Sequence, residues 1–256
     1  ACGNCWTAQY DNSSSTYDQV SNAIGVNAGG DVYVAGYQGT ASNGTDALLL
    51  RYNASGTLQT GFPSTYNGSA NSNDAWTDIA VIGGGGTIVC YVGGYARRTS
   101  TLDDYSLAAY KSDGTFANGA GLWSTADPVF YDGAGSTEAA GTDRGYAIEY
   151  ASTTGRVYIS GKATENVPAN NTVNITTLGY NASTGANVWS ASYDYGSDAI
   201  VGTDEMAWKY GLLVQYNNQY CVDDIYVEGD SYKSCGFHCN GYDYLTLKYS
   251  CGTCVD

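Results

Sequence analysis

The chain is 256 residues long, 43% hydrophobic and only 14% charged, which suits one large all-β or α/β domain, or two small ones, with a sizeable core. Its net charge of −15 argues against nucleic acid, whose phosphates need clustered Lys and Arg, and equally against an anionic lipid surface. No apolar run approaches the roughly 20 residues that span a bilayer as a helix, so membrane insertion is not expected.

The 34 Gly and 25 Tyr favour strands joined by tight turns, and no stretch has helical periodicity. The first element is a short strand, Trp6-Thr7-Ala8-Gln9-Tyr10-Asp11. An apolar stretch, Ala23–Val26, follows, then the turn Asn27-Ala28-Gly29-Gly30, the strand Val32-Tyr33-Val34-Ala35-Gly36, and a strand closing on Tyr52. The turn Asn53-Ala54-Ser55-Gly56 ends this first copy. The succession returns as Ile79–Ile82, Cys90-Tyr91-Val92-Gly93-Gly94, a strand closing on Tyr110, and the turn Lys111–Gly114. The third copy has Tyr146–Tyr150, Val157-Tyr158-Ile159-Ser160-Gly161 and a strand closing on Tyr180; the fourth has Leu212–Tyr216, Ile225-Tyr226-Val227-Glu228-Gly229 and a strand closing on Tyr249. A further strand follows in two copies, at Asp127–Asp132 and Val188–Asp194.

The copies stand about 60–70 residues apart, the size of one propeller blade of four antiparallel strands. The expected fold is all-β: a single repeat domain over 1–256, β-propeller-like, with units near 12–62, 63–132, 133–194 and 195–256. The pattern Gly-x-Val-Tyr-Val-x-Gly, then a strand from Asp to Tyr, then Asp-Gly-Thr, resembles the SBBP-type β-propeller repeats of secreted bacterial proteins. The resemblance is clearest over 31–57, 87–115 and 156–185. It implies a propeller fold, an extracellular or surface setting and no fixed active site. The chain departs from it in having four copies and a cysteine-rich last one.

The ends of the repeat do not match. Trp6–Asp11 resembles Trp189–Asp194, the strand that follows the third closing Tyr, whereas the fourth copy has little sequence beyond Tyr249 for such a strand. An uncovered sheet edge is an invitation to pair. Residues 6–11 are therefore expected either to close the ring within one chain or to complete the last unit of a neighbour. Repeated head to tail, the second arrangement builds a fibre.

Eight cysteines, Cys2, Cys5, Cys90, Cys221, Cys235, Cys239, Cys251 and Cys254, are read as disulfide candidates of an oxidising compartment. Cys2-x-x-Cys5, Cys251-x-x-Cys254 and the Cys235, His238, Cys239 cluster would also suit zinc, but the acidic, Tyr-rich composition favours disulfides, with no metal. Eight cysteines allow 105 pairings, so connectivity stays open. The sequence opens at Ala1 without a leader pattern, and a processed secreted chain is expected. Sequons occur at Asn12, Asn43, Asn53, Asn67, Asn170, Asn174 and Asn181.

Chemistry is harder to find. His238 is the one histidine, and no nucleophile-elbow, phosphate-loop or metalloprotease pattern occurs. Asp103-Asp104, Asp223-Asp224 and Asp204-Glu205 are the adjacent acids that could serve paired-carboxylate chemistry, and read better as turn or strand-end residues. No cofactor is expected; calcium is the one ion the Asp-rich loops would suit, though no Asp-x-Asp-x-Asp-Gly loop occurs. Trp6, Trp76, Trp123, Trp189 and Trp208 are candidates for sugar-stacking platforms or for core. The expected function is a non-enzymatic extracellular structural protein whose partners are copies of itself. The alternative is a lectin- or adhesin-type propeller binding glycans, with a propeller hydrolase behind both.

Overall fold

The structure, a computed structural model, describes residues 5–12, 17–41, 44–83, 86–98, 102–118, 123, 128–133, 142–167, 170–193, 205–206, 211–233 and 241–252. Among them there is no helix, and the strands form four antiparallel sheets. The first sheet is a meander of β1 (Gln19–Val26), β2 (Val32–Gly39), β3 (Thr45–Tyr52) and β4 (Ser64–Tyr66). The second repeats it with β5 (Ala75–Val81), β6 (Ile88–Arg97), β7 (Asp103–Lys111) and β8 (Val129–Tyr131). The third has β9 (Arg144–Ala151), β10 (Arg156–Val167), β11 (Asn170–Asn181) and β12 (Asn187–Tyr193). In the fourth, β13 (Glu205–Met206) and β14 (Leu212–Asn217) share one side of β15 (Val222–Lys233), and β16 (Gly241–Gly252) takes the other. That sheet is therefore three strand positions wide among the described residues.

The local geometry follows from the residues. The turns after Tyr52, Tyr110 and Tyr180 place Gly56, Gly114 and Gly185 at φ of 81°, 80° and 68°, a conformation that glycine adopts without a Cβ penalty. The glycine of each Tyr-x-x-Gly strand has a different cause. The first strand of each of the first three sheets carries a bulge at the same register position, at Asn22, Thr77 and Tyr146. A bulge adds one residue and pushes the strand toward its partner. A Cβ on Gly36, Gly94 or Gly161 would fall on the carbonyl oxygen of Val20, Ala75 or Arg144 respectively. The bulge also turns its own side chain to the next sheet: Asn22 Nδ2 donates to Trp76 O at 2.8 Å, and Thr77 Oγ1 to Gly145 O at 2.8 Å.

The sheets stack face to face in a row. One core cluster joins the first and second sheets, around Tyr33, Leu49, Trp76, Val92 and Tyr110. A second joins the second and third, around Tyr91, Tyr105, Leu107, Ile159 and Leu178. A third joins the third and fourth, around Tyr158, Ile175, Leu212, Ile225 and Val227. None joins the fourth sheet to the first, and no closed ring is present among the described residues. Among the described residues the expected closing strand is not formed. Residues 6–11 are not a strand; they lie on the outer face of the first sheet, where Tyr10 packs beside Leu48, Leu50, Tyr52, Val32 and Val34.

Candidate functional site

The two ends of the row are where the repeat is broken, and they form the candidate site. At each internal junction, the second carbonyl after a closing Tyr, or its neighbour, accepts a hydrogen bond from the sheet before it. Arg51 Nη1 donates to Ser112 O at 2.8 Å. Tyr91 Oη and Trp123 Nε1 both donate to Ala182 O at 2.9 Å. Arg156 Nη2 donates to Gly252 O at 3.0 Å. Among the described residues no other sheet lies against this side of the first, yet the same position is served: Trp6 Nε1 donates to Ala54 O at 3.1 Å.

The match extends to the ring. A Cβ on Gly56 would lie 2.6 Å from the Trp6 indole, and one on Gly185 would lie 2.6 Å from the Trp123 indole. Trp6 sits 6.0 Å from Tyr52, as Trp189 of β12 sits 5.6 Å from Tyr249 in the following sheet. Residues 6–11 thus occupy, against the first sheet, the place of the outer strand of a preceding sheet. Inward of them an open groove of about 320 Å³ runs between Ala8–Tyr10 and residues Gln19, Val20, Val34, Leu50 and Tyr52.

Burial marks the same end. Ile24 is 68% exposed and Val26 59%. Ile79, Ile148 and Leu212, which hold the register position of Ile24 in the other sheets, are 9%, 4% and 8% exposed. At the other end of the row, the outward face of the fourth sheet carries Leu213, 59% exposed, Tyr226 and Lys248. β16 pairs only with β15 among the described residues, so its outer edge is open.

The remaining candidates fall elsewhere. No disulfide joins any two of Cys5, Cys90, Cys221 and Cys251. Cys90 is wholly buried in the core between the first two sheets, where burial pushes its thiol far up; it is a core residue. Cys251 is buried in the last junction, with Arg156 Nη1 2.7 Å from its Sγ. Cys2, Cys235, Cys239, Cys254, His238, Asp204, Trp208 and Asn43 lie outside the described residues. Asn174 is buried on β11, so a glycan there is incompatible with the folded sheet. The Asn53 and Asn181 side chains fold back onto their own turns, accepting from Ser55 N and Thr57 N and from Ser183 N and Thr184 N. Asn67 lies exposed, bonded to Asn71 Oδ1; Asn12 adjoins the 6–11 segment, and Asn170 stands in β11. Trp76 and Trp123 are buried in the core and offer no stacking platform.

The adjacent acids do not converge, because neighbours on a strand face opposite ways. Asp103 pairs with Arg97 and Arg144, whereas Asp104 pairs with Arg98. Asp223 accepts from Tyr158 Oη at 2.7 Å, whereas Asp224 meets Lys248 at 3.0 Å. The carboxylates of Asp104, Asp132 and Asp143 lie within 4.8 Å of one another. Asp104 is already paired with Arg98, and Asp143 accepts from Gly133 N and Thr164 N at 2.6 Å. A cavity of about 450 Å³ adjoins the first strands, lined by Asn22, Thr77, Asp78 and Tyr146. There Asn22 and Thr77 already bond neighbouring strands, and Asp78 accepts from Ile79 N and Ile148 N.

Asp74 and Asp143 hold the same register position and give a pH prediction. Each is buried and accepts two backbone N–H groups, Asp74 from Gly68 and Arg97. Burial outweighs those bonds and pushes each carboxyl from 3.8 up to about 6. A raised acid stabilises the fold below its unfolded value near 4, and that contribution is lost as pH rises through 6. Stability should therefore rise by on the order of 2 kcal/mol per carboxyl as pH falls from 7.5 to 4.5, and the melting temperature with it. Relief of self-repulsion acts in the same direction. Calorimetry in 0.5 M salt (roughly a 4 Å screening length) should retain the trend; a stability that falls on acidification across this window contradicts it.

Compared with known protein families and with curated proteins, the chain matches no family model and no curated protein.

Proposed function

We propose that the chain is a non-enzymatic structural subunit of the cell exterior, a β-propeller-like row that assembles with copies of itself through its ends. The observation that carries the reading is Trp6. It bonds Ala54 O and packs on Gly56 and Tyr52 as the tryptophans of one sheet pack on the next. Residues 6–11 take the place of an outer strand against a first sheet that no other sheet covers among the described residues, and the last sheet is three strand positions wide among those residues. Exposed strand edges and apolar sheet faces are the surfaces on which chains associate. The extracellular setting rests on the acidic, Tyr-rich composition and on the repeat resemblance.

The test is the size of the protein in solution. Light scattering over a concentration series should give multiples of 26.9 kDa, with end-to-end rows of particles in negative stain. A species that stays at 26.9 kDa throughout, as a chain closing on itself would, overturns the reading.

A further inference from the structure

We infer that the outer face of the first sheet receives the last sheet of a second copy, packed as each sheet packs on the next within the chain. The inference rests on the self-assembly reading and specifies its contact. On the receiving side, Ile24, Val26, Val34 and Leu50 line a face whose counterparts are core in every following sheet. Val92 and Ala108 lie in the first junction, Ile159 and Leu178 in the second, and Val227 and Leu247 in the third. Among the described residues, the first sheet has this face covered by the 6–11 segment and by no other sheet.

On the delivering side, the last sheet repeats a constellation that the first sheet uses to bind its successor. In the first sheet Arg51 pairs with Asp31 at 2.6 Å and lies over the Tyr33 ring at 5.6 Å, and its other nitrogen reaches Ser112 O of the second sheet. In the last sheet Lys248 pairs with Asp224 at 3.0 Å and lies over the Tyr226 ring at 5.5 Å. Lys248 and Arg51 hold the same register, opposite Tyr226 and Tyr33. Lys248 therefore faces outward, as Arg51 does, toward the turn of a following sheet. The turn it would meet on a second copy is Asn53–Gly56, the counterpart of the turn that holds Ser112.

The edges agree with the faces. β12 lies beside β11, and its Trp189 packs on the next sheet. β16 has no such neighbour among the described residues, and Trp6–Asp11 lies on the first sheet as β12 lies on the fourth. Seating the last sheet on a second copy brings the open edge of β16 alongside that copy's residues 6–11, where they pair as an added strand. The contact joins unlike surfaces, so it propagates head to tail.

Two exposed substitutions test this: Ile24→Asp blocks the receiving face and Leu213→Asp the delivering face. Both residues are more than half exposed, so each variant should keep the wild-type circular dichroism and melting temperature. Each alone should stay monomeric to about 100-fold above the concentration at which the wild type assembles, since an unpaired charge buried at the join weakens it steeply. Mixed one to one, they should form dimers and stop there, because each copy retains one competent end. A wild type that stays monomeric sinks the self-assembly reading and this inference with it. A wild type that assembles while either variant still does so, or a mixture that gives no dimers, sinks this inference alone.

Discussion

Gly94→Ala is expected to destabilise the protein by about 3 kcal/mol, the upper end of what overpacking costs, measured by urea denaturation. The added Cβ falls on the carbonyl oxygen of Ala75, with Ala75 C and Trp76 Cα 3.0 Å away, and no flexible side chain is there to yield. Backbone must move, and that backbone is the bulge whose Thr77 side chain bonds both Gly93 O and Gly145 O. Flattening the bulge would withdraw a link between the second and third sheets as well as straining the second. Gly36→Ala and Gly161→Ala should behave alike, since they meet Val20 O and Arg144 O in the same way. Gly83→Ala is the control: no described residue lies within 4 Å of its Cβ position, and the change should stay within about 0.5 kcal/mol. A Gly94→Ala protein as stable as the Gly83→Ala protein would show that the bulge carries no constraint.

These glycines show what the sequence made legible. The repeat could be read because side chains alternate on a strand, so each copy leaves the same spaced pattern of Tyr, apolar residue and Gly. The reason for the Gly could not be read, because it lies in a bulge on the neighbouring strand and bulges leave no residue signature of their own. Cys90 is the opposite case. Its counterparts are Val32, Val157 and Ile225, and that alignment alone marks a buried apolar position rather than a disulfide half. Asn174 lies mid-strand between Val173 and Ile175, where a sequon competes with a core. The likeness of residues 6–11 to 189–194 was legible, but not that the segment lies on a sheet face without pairing, because pairing depends on what lies alongside.

Trp123→Ala and Trp6→Ala should part company, although the two indoles make the same hydrogen bond. Trp123 is 3% exposed and packs among Tyr91, Gly185 and the second-to-third core. Its loss opens a cavity and leaves Ala182 O with Tyr91 as its remaining donor from the second sheet, costing about 3–5 kcal/mol in urea denaturation. Trp6 is 38% exposed, on a segment that no strand pairs. Its loss should cost under about 1 kcal/mol, since a terminal segment can fray without opening the core. The assembly assay should invert that order. Trp123→Ala, wherever it remains folded, keeps both ends of the row and should assemble. Trp6→Ala removes the anchor that holds the outer strand against the first sheet, so a second copy would have to order that segment as it binds. Its assembly threshold should rise about tenfold or more, in keeping with an ordering cost of 2–5 kcal/mol for a flexible segment. Equal thresholds for Trp6→Ala and wild type would mean that the segment at 6–11 only covers the first sheet and has no part in the join.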